Sequence, residues 1–374
     1  MKAEIRGQKS VSKNSRSFGV ENQRSFDDIL QLMKSARYAY WYVARNNIKK
    51  ETASMENRRT FLKKSALIGA AGVLPAIPSG CTISTIEANA SFEPRKIGKA
   101  AVVWYSQTGN TQKCGKVLAQ TFEKNGIAVI AGEVRDIDLS TISGVDLLVI
   151  GAPVFYYDIP DFVKAFIQTL PDLKGIPVAA YVTFGGPEGN QHNAACSILE
   201  GLVQRNGVPV GLKAFRAISS YALNFKARDK EISPKPKTIL PDQSTYKNVR
   251  VYAGFLRSAV EQGHPAVFKR KLTSREFSTY FGPEWWTKLL VENHTIIEEN
   301  CVGCGTCVEK CPTDSIDLDT FSVDTDSCVL CCGCINNCEY QAVNMEYSKE
   351  KLIGFKDFLK KNKLEFELPA ELKT

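Results

Sequence analysis

Histidine and long apolar runs are both scarce in this sequence of 374 residues. The three histidines, His192, His264 and His294, stand far apart along the chain, and histidine is the most frequent general acid or base in enzymes. The longest apolar stretch, from about Ala66 to Ile77, is shorter than the roughly 20 residues that cross a bilayer. The sequence therefore excludes a multi-span membrane protein and presents no obvious acid–base centre.

Negative charge is scarce only in the first part of the chain. Residues 1–97 hold 17 Lys and Arg against 8 Asp and Glu, whereas residues 98–374 hold 31 against 32. The formal net charge of +8 thus belongs to a leader, and we expect no nucleic-acid partner for the nearly neutral remainder. With 44% hydrophobic and 24% charged residues, the length suits two or three folded domains, and a wholly disordered or collagen-like chain is excluded.

The basic leader has the features of an export signal. Residues 1–54 are polar and show no core-forming repeat, so we expect them to be poorly structured. Residues 55–90 contain Arg-Arg-Thr-Phe-Leu-Lys at positions 58–63, then a short apolar segment and small residues, which is the order of regions in a signal peptide. The string resembles a twin-arginine signal, which exports proteins already folded around cofactors. Because such motifs normally lie near the N-terminus, we expect translation to start at Met55.

Two processing sites are open in this segment. Cleavage after the A-x-A pattern at 88–90 would begin the mature chain at Ser91. Ser79-Gly80-Cys81 resembles the end of a lipoprotein box, in which Cys81 would carry a lipid anchor, although Pro78 replaces the usual Leu, Val or Ile. The expected location is the periplasm or cell envelope, without a membrane span, or the cytoplasm if the signal is not used. An apolar helix that packs on the protein is the alternative interpretation.

From residue 98 onward the chain alternates buried-type apolar runs with amphipathic stretches. Strands are predicted at Ala100–Tyr105, Ile127–Ala131, Asp146–Ile150, Pro177–Thr183 and Val208–Phe215. Helices are predicted at Thr111–Lys124, Pro160–Thr169, Gln191–Asn206 and Thr245–Gln262. This alternation predicts an α/β fold with a doubly wound parallel sheet. Ligands of such sheets bind beyond the carboxyl ends of the strands.

The loop after the first strand has the composition of a phosphate cradle. It reads Ser106-Gln107-Thr108-Gly109-Asn110-Thr111. Hydroxyls, a glycine and the N–H groups that open a helix would bind a phosphate, which the helix dipole also favours. The loop contains no Lys or Arg, so we expect neutral donors to hold the dianion. Neither a Walker A loop nor a G-x-G-x-x-G motif is present.

This loop resembles the FMN phosphate loop of flavodoxins, whose S/T-x-T-G-x-T pattern is matched at Ser106, Thr108, Gly109 and Thr111. The resemblance extends to the loops after the third and fourth strands, 151–157 and 183–189. It implies a flavodoxin-like sheet of strand order 2-1-3-4-5 over residues 98–264, with FMN as cofactor. The residues implied to clasp the flavin ring are Pro153, Val154, Phe155, Tyr156, Tyr157, Thr183, Phe184, Gly185 and Gly186, and the stacking candidates among them are Tyr156, Tyr157 and Phe184. A flavodoxin-like fold that has lost its cofactor is the alternative.

Nine of the twelve cysteines lie between positions 301 and 338, which indicates metal before disulfides. Two runs share the spacing C-x2-C-x2-C-x3-C: Cys301, Cys304, Cys307 and Cys311, then Cys328, Cys331, Cys334 and Cys338. In this spacing three cysteines bind one cubane and the fourth binds the other. The predicted ligands are therefore Cys301, Cys304, Cys307 and Cys338 for the first cluster, and Cys328, Cys331, Cys334 and Cys311 for the second. Zinc is the competing metal, and Cys332 is left over as a packed thiol or a substitute ligand.

Residues 297–345 resemble bacterial two-cluster ferredoxins, which implies a small α+β domain with two [4Fe-4S] clusters. This region holds nine acidic residues and one basic residue, so its surface is expected to be acidic. Residues 265–296 are predicted to be a connector, whose basic run at 269–271 is a solvated face or a docking patch. Residues 346–374 are predicted to be a tail that packs on the domains, with Leu352, Phe355 and Leu359 at helical spacing.

The pattern from Lys99 to Tyr347 resembles flavodoxin–ferredoxin fusion proteins. It implies an iron–sulfur flavoprotein that transfers electrons between FMN, two [4Fe-4S] clusters and unknown donor and acceptor proteins, with no catalytic residue assigned. One alternative is an FMN-dependent reductase of a quinone or small organic acceptor, in which His192, beside the third loop, would donate a proton. Another is a redox or oxygen sensor.

Overall fold

The computed structural model describes residues 85–88, 90–186, 189–232, 236, 238–275, 283–369 and 372. All of them belong to a single unit that spans Gly80–Thr374. Residues 55–84 of the predicted export signal, with the expected start at Met55 and the candidate lipidation site Cys81, lie outside the described residues, whereas residues 85–88 and 90 at its end are described. Within the described ranges, no helix is both long and apolar enough to cross a membrane.

The secondary structure alternates strands and helices as far as residue 261 and then becomes irregular. The strands are β1 (Thr85–Ile86), β2 (Lys99–Trp104), β3 (Ala128–Glu133), β4 (Leu147–Pro153), β5 (Pro177–Phe184), β6 (Val208–Arg216), β7 (Phe268–Lys269), β8 (Val291–Ile296), β9 (Ile316–Asp317), β10 (Ser322–Val323), β11 (Val343–Tyr347) and β12 (Glu350–Lys351). The α-helices are α1 (Asn110–Lys124), α2 (Asp161–Thr169), α3 (Gln191–Gln204), α4 (Gln243–Glu261), α5 (Pro283–Lys288), α6 (Thr306–Lys310), α7 (Gly333–Asn337) and α8 (Phe355–Asn362). Within the described residues, 3-10 helices occupy Leu139–Gly144, Ala222–Asn224 and Glu298–Asn300.

Five parallel strands form the main sheet, in the order β3-β2-β4-β5-β6. This is the predicted order 2-1-3-4-5, because the short β1 precedes the sheet and pairs with β7 instead. The predicted strand and helix positions are confirmed to within three residues at each end. The central strands were recognisable because they are apolar throughout, and Ala100 to Trp104 are indeed buried on both faces.

Helices cover both faces of this sheet. Successive residues of a strand point in opposite directions, so each apolar strand presents side chains to both layers of helices. On one face, Val103 and its neighbours pack against α2 and α3. On the other face, Val102 and Trp104 pack against α1 and α4. The two buried layers fix the carboxyl ends of the strands at one edge, where the three predicted flavin loops begin.

Two glycines, Gly115 and Gly151, leave room for the bulky Tyr181 side chain near this edge. A Cβ on Gly151 would stand 2.0 Å from the Tyr181 ring, and one on Gly115 would stand 2.4 Å from the Trp104 ring and 2.6 Å from the Tyr181 hydroxyl. The buried Tyr181 hydroxyl donates a hydrogen bond to the Thr111 carbonyl at 3.2 Å. Tyr181 therefore links β5 to the start of α1.

The C-terminal part is a small α+β domain. Strands β8, β11 and β12 form an antiparallel sheet, and β9 pairs with β10 in a hairpin. This sheet begins at Val291, inside the predicted connector, and continues to Lys351, inside the predicted tail. The sequence obscured β8 because its side chains are mostly polar and only His294 and Ile296 are buried.

The two domains share a buried core. Ala222 and Leu223, from the segment after β6, pack with Ile335, Met345 and other residues of the ferredoxin-like domain. The tail helix α8 packs back on the same segment, and the Phe225 and Phe358 rings stack with centroids 4.1 Å apart. The predicted packing of the tail is therefore observed. However, α8 begins at Phe355, after Leu352 has already formed a bridge with Lys226.

Candidate functional site

The predicted phosphate loop lies between β2 and α1. Gly109 precedes the helix with a left-handed φ of 87°, and no side chain caps the first turn. The open N–H groups and the positive end of the helix dipole favour an anion at this position. Thr111 is buried and its hydroxyl lies 2.7 Å from that of Thr183, which joins the first predicted loop to the third. Thr108 donates a hydrogen bond to the Ser220 hydroxyl at 2.9 Å.

Two buried amides of this loop have polar atoms without partners. Gln107 and Asn110 are each 6% exposed, and the described residues provide no hydrogen-bond partner for Gln107 Nε2 or Asn110 Oδ1. The Asn110 amide group does donate to the Ile218 carbonyl, at 3.3 Å. Buried polar atoms are rarely left unpaired in a complete site. The loop therefore fits a polar ligand such as the phosphate and ribityl chain of FMN.

The second predicted loop is a tight turn at the end of β4. Phe155 and Asp158 exchange two backbone hydrogen bonds of 2.7 and 2.9 Å, and Tyr156 and Tyr157 between them have φ values of 49° and 73°. Side chains other than glycine enter this left-handed region at a cost of about 1–2 kcal/mol per residue. Backbone strain of this kind concentrates at functional sites, which agrees with the predicted role of these tyrosines beside a flavin ring.

Each tyrosine of the turn is also held by a partner from elsewhere. The Tyr156 hydroxyl lies 2.9 Å from that of Tyr221, and the two rings meet edge to face. Arg275 donates a hydrogen bond to the Tyr157 hydroxyl at 2.9 Å and lies over its ring. The Asn190 amide donates to the Tyr157 carbonyl at 2.6 Å.

The third predicted loop completes the edge. Most of the residues predicted to clasp the ring are half-buried: Pro153, Val154, Phe155, Tyr156, Tyr157, Phe184 and Gly185. Thr183 is buried and Gly186 is exposed. Val154 N–H donates to the Thr183 carbonyl at 2.9 Å, which holds the second and third loops together.

Sequence reasoning missed a further wall, formed by the segment after β6. A Cβ on Gly185 would stand 2.3 Å from the Ser219 backbone nitrogen, so the two segments are in close contact. Ser220 and Tyr221 follow and reach Thr108 and Tyr156. The position of this segment at the carboxyl end of the fifth strand was the available signal, because all such loops meet at one edge.

Cys301, Cys304, Cys307 and Cys338 line a first, small cavity. Cys338 comes from the second run and stands with three cysteines of the first. Cys304 is exposed, and so are Val302 and Tyr340 at the cavity rim, by 58% and 51%. The first quartet therefore faces solvent.

Cys328, Cys331, Cys334 and Cys311 line a second small cavity. All four are less than one-tenth exposed. Cys332 and His294 also line this cavity, and His294 Nε2 lies 3.4 Å from Cys334 Sγ. Burial lowers the pKa of His294 to about 4, so the imidazole is neutral at pH 7.

Backbone N–H groups donate to several of these sulfurs. Ser315 N–H donates to Cys311, Leu330 N–H to Cys328, Gly333 N–H to Cys331 and Ala342 N–H to Cys338, at 3.2–3.4 Å. Burial raises the pKa of Cys331 to about 12 and that of Cys328 to about 11. These thiols deprotonate only when a cation compensates the charge, as in metal binding. Across the described chain, no three His, Cys, Asp or Glu side chains stand close enough to hold one lone metal ion.

The second quartet borders the flavin loops. Asn337, at the end of α7, donates to the Gln107 carbonyl at 3.1 Å. A Cβ on Gly333 would stand 3.6 Å from Gln107 Cγ and 3.4 Å from Cys331 Sγ. The Tyr105 phenol lies beside the Cys331 thiol. One residue layer thus separates the second cavity from the phosphate loop.

Two family models match the chain in the same order as these sites: a flavodoxin domain over residues 101–216 and a 4Fe-4S binding domain over residues 294–317. The fold is accordingly a flavodoxin-like parallel sheet followed by a small ferredoxin-like domain. This combination indicates an electron-transfer protein that uses FMN and a 4Fe-4S cluster.

Similar solved structures include a flavodoxin from the domain Archaea, with 15% identity and a TM-score of 0.33 over 44% of this chain and 99% of that chain. Flavodoxin 1 from Bacillus cereus has 16% identity and a TM-score of 0.34 over 43% of this chain and 97% of that one. Rubredoxin oxygen:oxidoreductase from Desulfovibrio gigas has 18% identity and a TM-score of 0.32 over 46% and 38%. A comparison with curated proteins found no match.

Proposed function

We propose that this chain is an iron–sulfur flavoprotein that transfers electrons between FMN, two [4Fe-4S] clusters and external redox proteins. The loops at 106–111, 153–157 and 183–186 would hold FMN, and the two cysteine quartets would each hold one cluster. When bound, FMN exchanges one or two electrons and each cluster exchanges one.

The observation that carries this proposal is the shared wall between the two domains. Gln107, in the phosphate loop, contacts both Asn337 and the turn that carries Cys331. Residues of this wall exclude water between the two sites and fix their separation. The second quartet is buried against the flavin loops, whereas the first is exposed, so we propose that external partners dock beside the first quartet.

Cofactor counting tests the proposal directly. The full chain, purified without oxygen, should contain about eight irons, eight sulfides and one FMN, as measured by iron and sulfide analysis with an ultraviolet–visible spectrum. About four irons would contradict the second cluster. Eight irons with no flavin, even after FMN is added, would leave a ferredoxin-like protein on a flavodoxin-like scaffold.

The contacts of the connector favour protein partners over a small-molecule substrate, because the connector covers the outer side of the second and third loops. Lys271 exchanges two backbone-to-amide hydrogen bonds with Asn193, and Arg270 forms an ion pair with Glu200. Together with Arg275 over Tyr157, these contacts lay the connector across the outer side of the second and third loops. The basic run is thus not a freely solvated face at Arg270. His192 Nε2 lies 2.9 Å from the Lys269 carbonyl, which occupies one of its ring nitrogens.

Acceptor assays separate the two functions. We expect the reduced protein to pass electrons to cytochrome c much faster than to menadione, and His192→Ala to change neither rate. Fast menadione reduction that is abolished by His192→Ala, with FMN retained, would instead establish the reductase.

We further propose export by a twin-arginine route, on the basis of the arginine pair at 58–59. Replacing both arginines by lysine should retain the protein in the cytoplasm, measured by cell fractionation against a cytoplasmic marker. If Cys81 carries a lipid, Cys81→Ala should move the exported protein from the membrane fraction to the soluble one. No shift would favour cleavage after Ala90.

A further inference from the structure

A lysine outside the predicted loop stands next to the phosphate cradle. Lys113, in the first turn of α1, is half-buried. Its Nζ lies 3.8 Å from the position that a Cβ on Gly109 would take. The loop itself contains no cation, so Lys113 changes the electrostatics expected from the sequence.

The Lys113 ammonium has no anionic partner among the residues that the structure describes. No carboxylate there forms an ion pair with it. Burial lowers its pKa to about 8. A desolvated cation without a counter-charge is costly, and the unpartnered Gln107 Nε2 is a second donor of the same loop. Both observations indicate an acceptor of negative charge that the protein itself does not supply.

The burial of Lys113 comes from the C-terminal tail. The Phe366 ring lies over the ammonium, with Nζ 3.6 Å from the ring centroid, which is a cation–π contact. Phe366 also packs against Phe355 of α8, and Gln243 of α4 donates to the Leu368 carbonyl at 3.0 Å. The tail is thus anchored at the ring and two residues beyond it.

We propose that Lys113 binds the phosphate of FMN, and that Phe366 holds the ammonium against the cradle and shields it from water. The chain would then select phosphorylated flavin through a charged contact, in addition to neutral donors. This inference rests on the proposed flavin function and assigns the tail a role in it.

Flavin titrations of the full chain test this proposal. The protein, stripped of flavin, is titrated with FMN and with riboflavin, and binding is followed by quenching of flavin fluorescence. Lys113→Met should weaken FMN binding by about tenfold to a hundredfold, the range for a lost charge-assisted hydrogen bond. Riboflavin affinity should be unchanged. Lys113→Arg should retain most of the FMN affinity.

Lys116→Met is the matched control, since Lys116 lies on the same helix and is exposed. It should leave both affinities unchanged, whereas Phe366→Leu should weaken FMN binding by about threefold to tenfold. Unchanged FMN affinity in Lys113→Met, or an equal loss of affinity for both flavins, would overturn the proposed role of Lys113 and leave the proposed flavin function standing. A wild-type protein that binds neither flavin would overturn the proposed flavin function, and this inference with it.

Discussion

Side chains around the second quartet differ in what they offer the sulfurs. His294 is buried and uncharged at neutral pH, and its Nε2 faces Cys334 Sγ. Cys332 adjoins Cys331, a proposed cluster ligand, and is 1% exposed, with a left-handed φ of 59°. The positions of His294 and Cys332 beside the second cavity do not follow from the spacing of the cysteine runs, because they depend on which elements the fold brings to that cavity.

We expect His294→Leu to lower the midpoint potential of the cluster proposed for the second quartet. In the tautomer that carries its proton on Nε2, the imidazole donates to the ligating sulfur, and such bonds stabilise the reduced cluster. The expected decrease is on the order of tens of millivolts, measured by redox titration with electron paramagnetic resonance. His192→Leu, remote from both cavities, serves as the control, and equal potentials for His294→Leu and wild type would contradict the role.

Cys332 should prove to be a packing residue. Its Sγ lies 3.5 Å from the Leu330 carbonyl, and backbone groups of Ala222 and Leu223 approach the same sulfur. We therefore expect Cys332→Ala to retain about eight irons per chain and Cys331→Ala to lose about four, as counted by iron analysis. A full complement in Cys331→Ala that disappears in the double variant would instead make Cys332 the substitute ligand.

At the scale of elements, the local pattern of apolar residues was sufficient to predict the strands and helices of the main sheet. It was not sufficient to predict the strands of the C-terminal domain. The apolar run of β2 and the repeat in α1 were legible because burial there follows a fixed period. The polar β8 was assigned to the connector, since its burial comes from tertiary contacts such as the pairing with β11. The cysteine spacing predicted which residues face each cavity, whereas Tyr221 and Arg275 reach the flavin loops only through tertiary packing. Lys113 lies four residues after Gly109, but its contact with Phe366 depends on tertiary packing.

Two helical glycines should respond oppositely to alanine. At Gly115 of α1 a Cβ would stand 2.4 Å from the Trp104 ring, whereas at Gly254 of α4 nothing lies within 4 Å. We expect Gly115→Ala to destabilise the protein by about 1–3 kcal/mol through overpacking. Gly254→Ala should stabilise it by up to about 1 kcal/mol through helix propensity. Urea unfolding followed by circular dichroism measures both, and a stabilised Gly115→Ala would contradict the tight contact.

At the scale of the whole molecule, one buried asparagine joins three parts of the chain. Asn336 of α7 is 1% exposed. Its amide donates to the Ser220 carbonyl at 2.8 Å, and its carbonyl oxygen accepts from Phe355 N–H at 2.9 Å. The flavin wall, the ferredoxin-like helix and the tail helix therefore meet at this side chain.

Asn336→Ala should loosen the two domains from each other. It removes the partner of the buried Phe355 N–H and of the half-buried Ser220 carbonyl, at a cost of about 2–4 kcal/mol. We expect a single unfolding transition in wild type and two separated transitions in the variant, by calorimetry under nitrogen. Asn344→Ala, which removes an exposed bond to the Asn293 carbonyl, should change stability by less than about 0.5 kcal/mol. One unshifted transition in both variants would mean that the domains are joined by other contacts.

The bond between Asn337 and Gln107 spans 230 positions of the chain. This separation determines how long after Gln107 its partner Asn337 is synthesised. A ribosome that adds about 5–20 residues per second needs roughly 12–46 seconds to travel from one to the other. The three flavin loops are complete in sequence once Gly186 has been added, and over the remaining 151 positions to Asn337 they still lack their ferredoxin-like neighbour. Flavin that enters this open edge during synthesis would be in place before the second cysteine run has left the ribosome, and the later domain would then dock beside it.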